Sequence, residues 1–172
     1  MNHFSNEILT NIRNQFAQID ACPIQGKRVF FENAGGALTL KSVVECSKKY
    51  AAIPDNQGRD NPGSHKLVEV ISDAKDDMRS FMNASDGQFF VGESGTELLF
   101  RLIMNACLGT ENDGIVLGST IEHPATRSAC ARWSKISGKR HVLIPHDDDK
   151  GLVTSSEYRK YITKDTKVAT IL

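Results

Sequence analysis

The sequence predicts an α/β protein of three layers, α/β/α, built on a mainly parallel sheet with a helical arm in front of it. Three observations predict this. From Gln88 onward, short β-prone runs alternate with apolar-periodic stretches of about a dozen residues, the pattern of strands joined by crossover helices. The 172 residues are enough to bury the core of one ordinary domain. No internal repeat, low-complexity tract or linker divides them, so residues 1–27 read as the arm and 28–172 as a single domain. The last run, Lys167–Leu172, stops without a turn signal, and the domain is therefore expected to be incomplete at its carboxyl end.

Each element follows from spacing. Ser5–Ile19 carries Ile8, Ile12, Phe16 and Ile19 at steps of three and four, a helix that buries one stripe. Arg28–Phe31 is a β-prone run, and Asn33-Ala34-Gly35-Gly36 after it reads as a turn. Ser42–Ile53 reads as helix up to Pro54, and Asp55–Ser64, with Gly58, Pro62 and Gly63, as loop. In His65–Asn83, Leu67, Ile71, Ala74, Met78, Phe81 and Met82 recur at helical spacing, which predicts a long helix whose stripe is core. The alternation then runs as strand Gln88–Val91, helix Gly95–Leu108, strand Gly114–Leu117, helix Pro124–Ser137, strand His141–Ile144 and helix Ser155–Ile162, before the final β-prone run.

Composition narrows the partners. Twenty-one basic residues balance twenty-one acidic ones and no basic run forms, so no field for nucleic acid is predicted, and small molecules or protein are the expected partners. Four cysteines without a CxxC pair fit a reduced, cytoplasmic setting. The N-terminus has no basic head, and nowhere do about 18 apolar residues run together, so no membrane partner is expected. His65 and His123 with Asp147-Asp148-Asp149 lack the spacing of a metal site, and the acidic run reads as a solvated turn.

Two βα connections carry chemistry. In Phe89-Phe90-Val91-Gly92-Glu93-Ser94-Gly95-Thr96-Glu97 a β-prone run enters a helix through small residues, and Ser94 with Glu97 forms a capping box that fixes the helix start. Free amides at such a start, with the helix dipole behind them, attract a phosphate. Gly95 lets a ligand approach the backbone, and the Ser94 and Thr96 hydroxyls add donors. A capping box alone is ordinary helix chemistry, but strand ends of an open α/β sheet face the crevice where ligands bind. In the next connection His123 stands just before Pro124, at the same expected edge, where an imidazole can lie against a flat heteroaromatic ring or simply cap its helix.

Four stretches in order resemble the aminotransferase class V and cysteine desulfurase family, fold-type-I pyridoxal phosphate enzymes. Phe30-Phe31-Glu32-Asn33-Ala34-Gly35-Gly36 is similar to the family's Asp-Asn-Ala-Ala turn, and Asn61-Pro62-Gly63-Ser64-His65 to its Asn-Pro-x-Ser-x-His or Asn-x-His segment. Ser94-Gly95-Thr96-Glu97 is similar to its phosphate turn, and Glu122-His123-Pro124-Ala125-Thr126 to Glu-His-His-Ala-Asn, whose first histidine stacks on the cofactor ring. The likeness runs over residues 28–172. It departs at Glu32, Gly35-Gly36 and Thr126, and the Asn-Pro-Gly-Ser-His segment lacks the arginine of one desulfurase branch.

The resemblance implies the large domain of a pyridoxal phosphate-dependent transferase-like fold. It implies pyridoxal 5'-phosphate as cofactor, bound by Ser94, Gly95, Thr96 and His123, with His123 also the catalytic candidate. It further implies an amino-acid substrate bordered by Asn33, Ala34, Gly35 and His65, and a homodimer in the full-length protein. That chemistry needs a Schiff-base lysine and an acid at the pyridine nitrogen. In the family both come later than Leu172, so residues 1–172 alone are not expected to form the covalent cofactor link. A non-catalytic relative and a nucleotide-binding α/β enzyme stay open, although no Gly-x-Gly-x-x-Gly or Walker sequence occurs.

Overall fold

The structure, a computed structural model, describes residues 4–54 and 58–171. Asp55, Asn56 and Gln57 of the expected loop, and Leu172 of the expected last strand, lie outside the described residues. The chain forms two compact units, Met1–Met82 and Asn83–Leu172, and the arm read from the sequence lies inside the first.

In the first unit, α1 (Asn6–Asn14) starts on Ser5, whose hydroxyl accepts the Ile8 amide at 3.3 Å. A small antiparallel hairpin follows, β1 (Ala21–Cys22) with β2 (Gly26–Lys27), turning through Gly26 at φ +77. Helices α2 (Lys41–Ala51) and α3 (Pro62–Phe81) complete the unit. The α3 helix begins three residues before the predicted His65, because Asn61 accepts the Ser64 amide at 2.9 Å and Pro62 takes the first helical position, where its missing N–H costs nothing.

Two expectations fail here. The stripes of α1 and α3 are not core, since Ile8, Ile12, Ile71, Met78 and Phe81 all stay exposed. Helical spacing reports which face is apolar, and whether anything covers that face is a tertiary fact. Arg28–Phe31 is not a strand: it is irregular chain, with Phe31 91% exposed.

The second unit is a three-layer sandwich. Helix α4 (Gly95–Leu108) precedes β3 (Ile115–Ser119), α5 (Pro124–Ile136), β4 (Arg140–Ile144), α6 (Ser155–Tyr161) and β5 (Thr166–Ala169). The three strands are parallel in the order β4-β3-β5, with Ile115 opposite Arg140 on one side and Thr166 on the other. Central β3 is buried at every position, as a strand flanked and covered on both faces must be. Val116 packs with Ile103 and Cys107 of α4 and Ala129 and Cys130 of α5. Ile115 and Leu117 pack with Ile144 and with Tyr158 of α6 on the other face. Because β4 and β5 add on opposite sides of β3, two crossovers of one hand must place α5 and α6 on opposite faces, as observed.

A glycine turn ties the layers. At the end of α5 the Lys139 amide reaches the Ser134 carbonyl at 2.8 Å and the Gly138 amide that of Lys135, a Schellman turn with Gly138 at φ +70. A Cβ on Gly138 would also meet the Asn112 carbonyl at 2.8 Å. The turn sends the Lys139 side chain, 5% exposed, to the Cys107 carbonyl at 2.8 Å and the Thr110 carbonyl at 3.4 Å, so a buried ammonium caps the end of α4.

The predicted strand Gln88–Val91 is irregular chain, with Phe90 and Val91 exposed. A strand exists only by pairing, and no strand of the described residues pairs with this run.

The cysteines sort by environment. Burial pushes the Cys130 thiol up to about 11 and raises Cys107 as well, whereas Cys22 is lowered by the backbone hydrogen bonds of Gln25 and Ile24. Thiol reagent at neutral pH should therefore modify Cys22 and the exposed Cys46 in the folded protein and reach Cys107 and Cys130 only on unfolding. Mass spectrometry of labelled peptides before and after denaturation checks this.

Candidate cofactor site

Both chemistry-bearing turns of the second unit lie at one edge of its sheet. Lys139, the residue before β4, fixes the end of α4 at the amino edge. Fourteen helical residues rise about 21 Å, so α4 begins at the carboxyl edge. Helix α5 also begins there, across the short connection Thr120–His123 from the end of β3. Since α4 and α5 share one layer, Ser94–Thr96 and His123 stand on the same face and the same edge.

The start of α4 is built as the sequence predicts. Ser94, in extended conformation, accepts the Glu97 amide on its hydroxyl at 3.2 Å. Glu97 reaches back to the Glu93 amide at 3.2 Å, one residue earlier than the capping box would have it, and pairs with Arg101 at 2.6 Å, which offsets its charge beside the helix start. The amides of Gly95 and Thr96 have no intrahelical acceptor, by helix geometry. Ser94, Gly95 and Thr96 are all exposed, and a Cβ built on Gly95 would meet nothing within 4 Å. By contrast, a Cβ on Gly92 would run into the Glu97 carboxylate and lie 2.8 Å from Leu98, so this glycine lets the chain pass over the helix start. Ser94→Ala should lower stability by about 1 kcal/mol, as loss of an N-cap does, read by urea denaturation.

His123 is the N-cap of α5. Its Nδ1 accepts the Ala125 amide at 3.1 Å, so in the neutral ring Nε2 carries the proton. The ring is exposed, and its orientation is fixed by this bond. Two buried polar atoms of the preceding residues have no hydrogen-bond partner: the hydroxyl of Ser119, fully buried at the end of β3, and one oxygen of Glu122, 7% exposed.

The other predicted site residues belong to the first unit. The Glu32 carbonyl accepts the Gly35 and Gly36 amides at 3.1 and 3.2 Å, which confirms a turn through Asn33, Ala34 and Gly35. Asn33 lines a groove of about 680 Å³ with Arg13, Arg28 and Phe31, and His65 is not among its walls. His65 instead faces Asp60 at 3.3 Å on the surface. Sequence reasoning missed the Thr120–His146 contact at 2.8 Å, for which only the polar character of both connections was a signal. Among the described residues no group of three or more His, Cys, Asp and Glu side chains could hold a metal ion, and no helix is long and apolar enough to cross a membrane.

A parallel sheet covered on both faces, with polar turns gathered at its carboxyl edge, defines an open α/β domain. The chain belongs to the aminotransferase class-V family, which it matches over residues 29–172. Its relatives include the cysteine desulfurase-like protein ustD of Aspergillus flavus, 25% identical over 155 residues, and the nonribosomal peptide synthetase-like enzyme fsqF of Aspergillus fumigatus, 24% identical over 143 residues. These alignments cover 84% and 80% of this chain but only 34% and 10% of the two relatives, so the chain spans about a third of the length of one and a tenth of the other. The fold is shared with the apo cysteine desulfurase of Thermococcus onnurineus NA1, at a TM-score of 0.68 and 20% identity over 81% of this chain and 35% of that one. It is shared equally with the cysteine desulfurase CsdA of Escherichia coli in its S-sulfonic acid form, at a TM-score of 0.68 and 19% identity over 98% and 41%.

Proposed function

We propose that this chain supplies the phosphate seat and the ring-facing histidine of a pyridoxal 5'-phosphate enzyme that acts on an amino acid in the manner of the class V aminotransferases and cysteine desulfurases. The observation that carries this reading is the open helix start at Gly95 on the same edge and layer as His123. The donors present there fit the phosphate end of that cofactor. The free amides of Gly95 and Thr96 and the Thr96 hydroxyl point a positive dipole end at a dianion, with room for it beside Gly95.

The residues divide the work. Ser94, Gly95 and Thr96 hold the phosphate. His123, oriented by its bond to Ala125, presents its ring face to the cofactor and its Nε2 proton outward. Bound pyridoxal phosphate supplies an electron sink for bond cleavage at the amino-acid carbon. The Schiff-base lysine and the acid at the pyridine nitrogen come from outside residues 1–172, and the working enzyme is a homodimer. Lys139 is no candidate for the lysine, because its Nζ is buried against the carbonyls that end α4.

The test is cofactor absorbance in the full-length protein. Purified with added pyridoxal phosphate, it should show a visible band that borohydride fixes to one lysine, and Gly95 variants should weaken it. A missing band would overturn the reading in favour of a non-catalytic relative. Thermal stabilisation by nucleotides in its place would point to a nucleotide-binding enzyme.

A further inference from the structure

At the carboxyl edge, the connections that follow β3 and β4 are joined by a chain of contacts the proposed cofactor seat does not use. The Thr120 amide donates to the Ile144 carbonyl at 2.9 Å, carrying the sheet ladder one step beyond β3. The Thr120 hydroxyl then accepts the His146 amide at 3.0 Å and meets His146 Nδ1 at 2.8 Å. On the far side of the ring, His146 Nε2 lies 3.2 Å from Asp148 Oδ1.

The donors and acceptors settle each other. A hydroxyl has one proton to give, and the Thr120 oxygen already accepts an amide. A carboxylate only accepts, so in the neutral ring Nε2 carries the proton toward Asp148, and Nδ1 is left to accept from Thr120. The whole chain is satisfied in one tautomer.

His146 is the rigid partner of this contact. Behind it ends β4, and ahead of it the turn Asp147–Leu152 is closed on itself. Asp147 and Leu152 form an isolated bridge, the Asp147 carboxylate accepts the Asp149 and Lys150 amides at 3.1 and 3.2 Å, and Lys150 pairs with it at 2.9 Å. On the other side, Thr120 opens the four-residue connection that ends at His123, the cap of α5. Pinning Thr120 therefore leaves the connection little freedom before its histidine.

We propose that His146 is a positioning residue for the His123 turn, acting through the Thr120 hydroxyl, with Asp148 holding its ring in the tautomer the contact needs. This rests on the reading of His123 as the residue that faces the cofactor ring, and it adds a residue and a contact that the reading does not contain.

The test uses the uniformly 15N-labelled full-length protein, first without cofactor and at alkaline pH. His146 should show the Nε2–H tautomer. Thr120→Val and His146→Leu should shift the His123 Nδ1 and Ala125 amide signals, while Thr120→Ser and His146→Asn, which keep a hydroxyl and an acceptor in place, should return them. Asp148→Asn alters an exposed side chain that cannot unfold the protein, and it should move His146 toward the other tautomer and the His123 signals with it. Unchanged His123 and Ala125 signals in Asp148→Asn and in folded Thr120→Val would overturn the proposal. With pyridoxal phosphate added, Thr120→Val, His146→Leu and Asp148→Asn should weaken binding at least threefold by induced circular dichroism. If His123→Ala then binds the cofactor like the parent while the signals remain coupled, the contact stands and the cofactor reading of His123 falls.

Discussion

Gly95→Asp should weaken pyridoxal phosphate binding by at least tenfold, the factor that 1.4 kcal/mol represents. The new carboxylate would stand where the phosphate is proposed to sit, and two like charges at contact distance repel. The fold itself has no reason to object. A Cβ at this position meets no atom within 4 Å, and an acidic residue in the first helical turn complements the dipole. Stability should therefore be unchanged or slightly raised while binding falls, a pairing that separates a ligand effect from misfolding. Spectroscopic titration of the full-length variant beside Gly95→Ala measures it. Binding equal to the parent would mean that the phosphate sits elsewhere.

The second large effect is on stability. Lys139→Met should cost about 2 kcal/mol, because it takes the ammonium from the Thr110 carbonyl and leaves the Cys107 carbonyl only the Thr110 hydroxyl at 3.3 Å. Removing a buried charge returns part of this, since the ammonium is costly to desolvate, which is why the figure is not larger. Equilibrium urea unfolding should show a lower midpoint with an unchanged slope. A midpoint equal to the parent would mean that water satisfies those carbonyls equally well. Cofactor affinity should move little, since this lysine works at the amino edge.

The second unit was legible almost throughout from residue spacing. Helix α4 begins and ends where its cap and apolar stripe predict, α5, β4 and α6 fall within one residue of their expected bounds, and β3 runs two residues further than expected, to Ser119. Each of these carries its own signal: a cap, a proline at the first turn, a glycine past the end. What failed depended on partners. Arg28–Phe31 and Gln88–Val91 hold the β-branched and aromatic residues that favour strands, but propensity describes how a residue fits a paired surface and supplies no pair. The hairpin at Ala21–Lys27 went unread because its strands are two residues long, too short for alternation to show.

The site divides in the same way. Ser94, Gly95, Thr96 and His123 could be found because each sits at a helix start with a local sequence signature. Thr120 and His146 could not, because their contact depends on the register that sets Ser119 beside Ile144 across two strands. Of the two roles read for His123 from sequence, the structure shows the cap of α5, made through Nδ1, with the residue exposed.

The position of β3 also bears on how the unit assembles during synthesis. It is the first of the three parallel strands to leave the ribosome and the one to which both others attach, so β4 can dock as soon as α5 is made, and β5 after α6. The connection from β4 to β5 is about as long as that from β3 to β4, so closing it carries no larger cost in chain entropy. Growth in this order never requires a strand to insert between two already joined, which favours rapid vectorial folding over rearrangement.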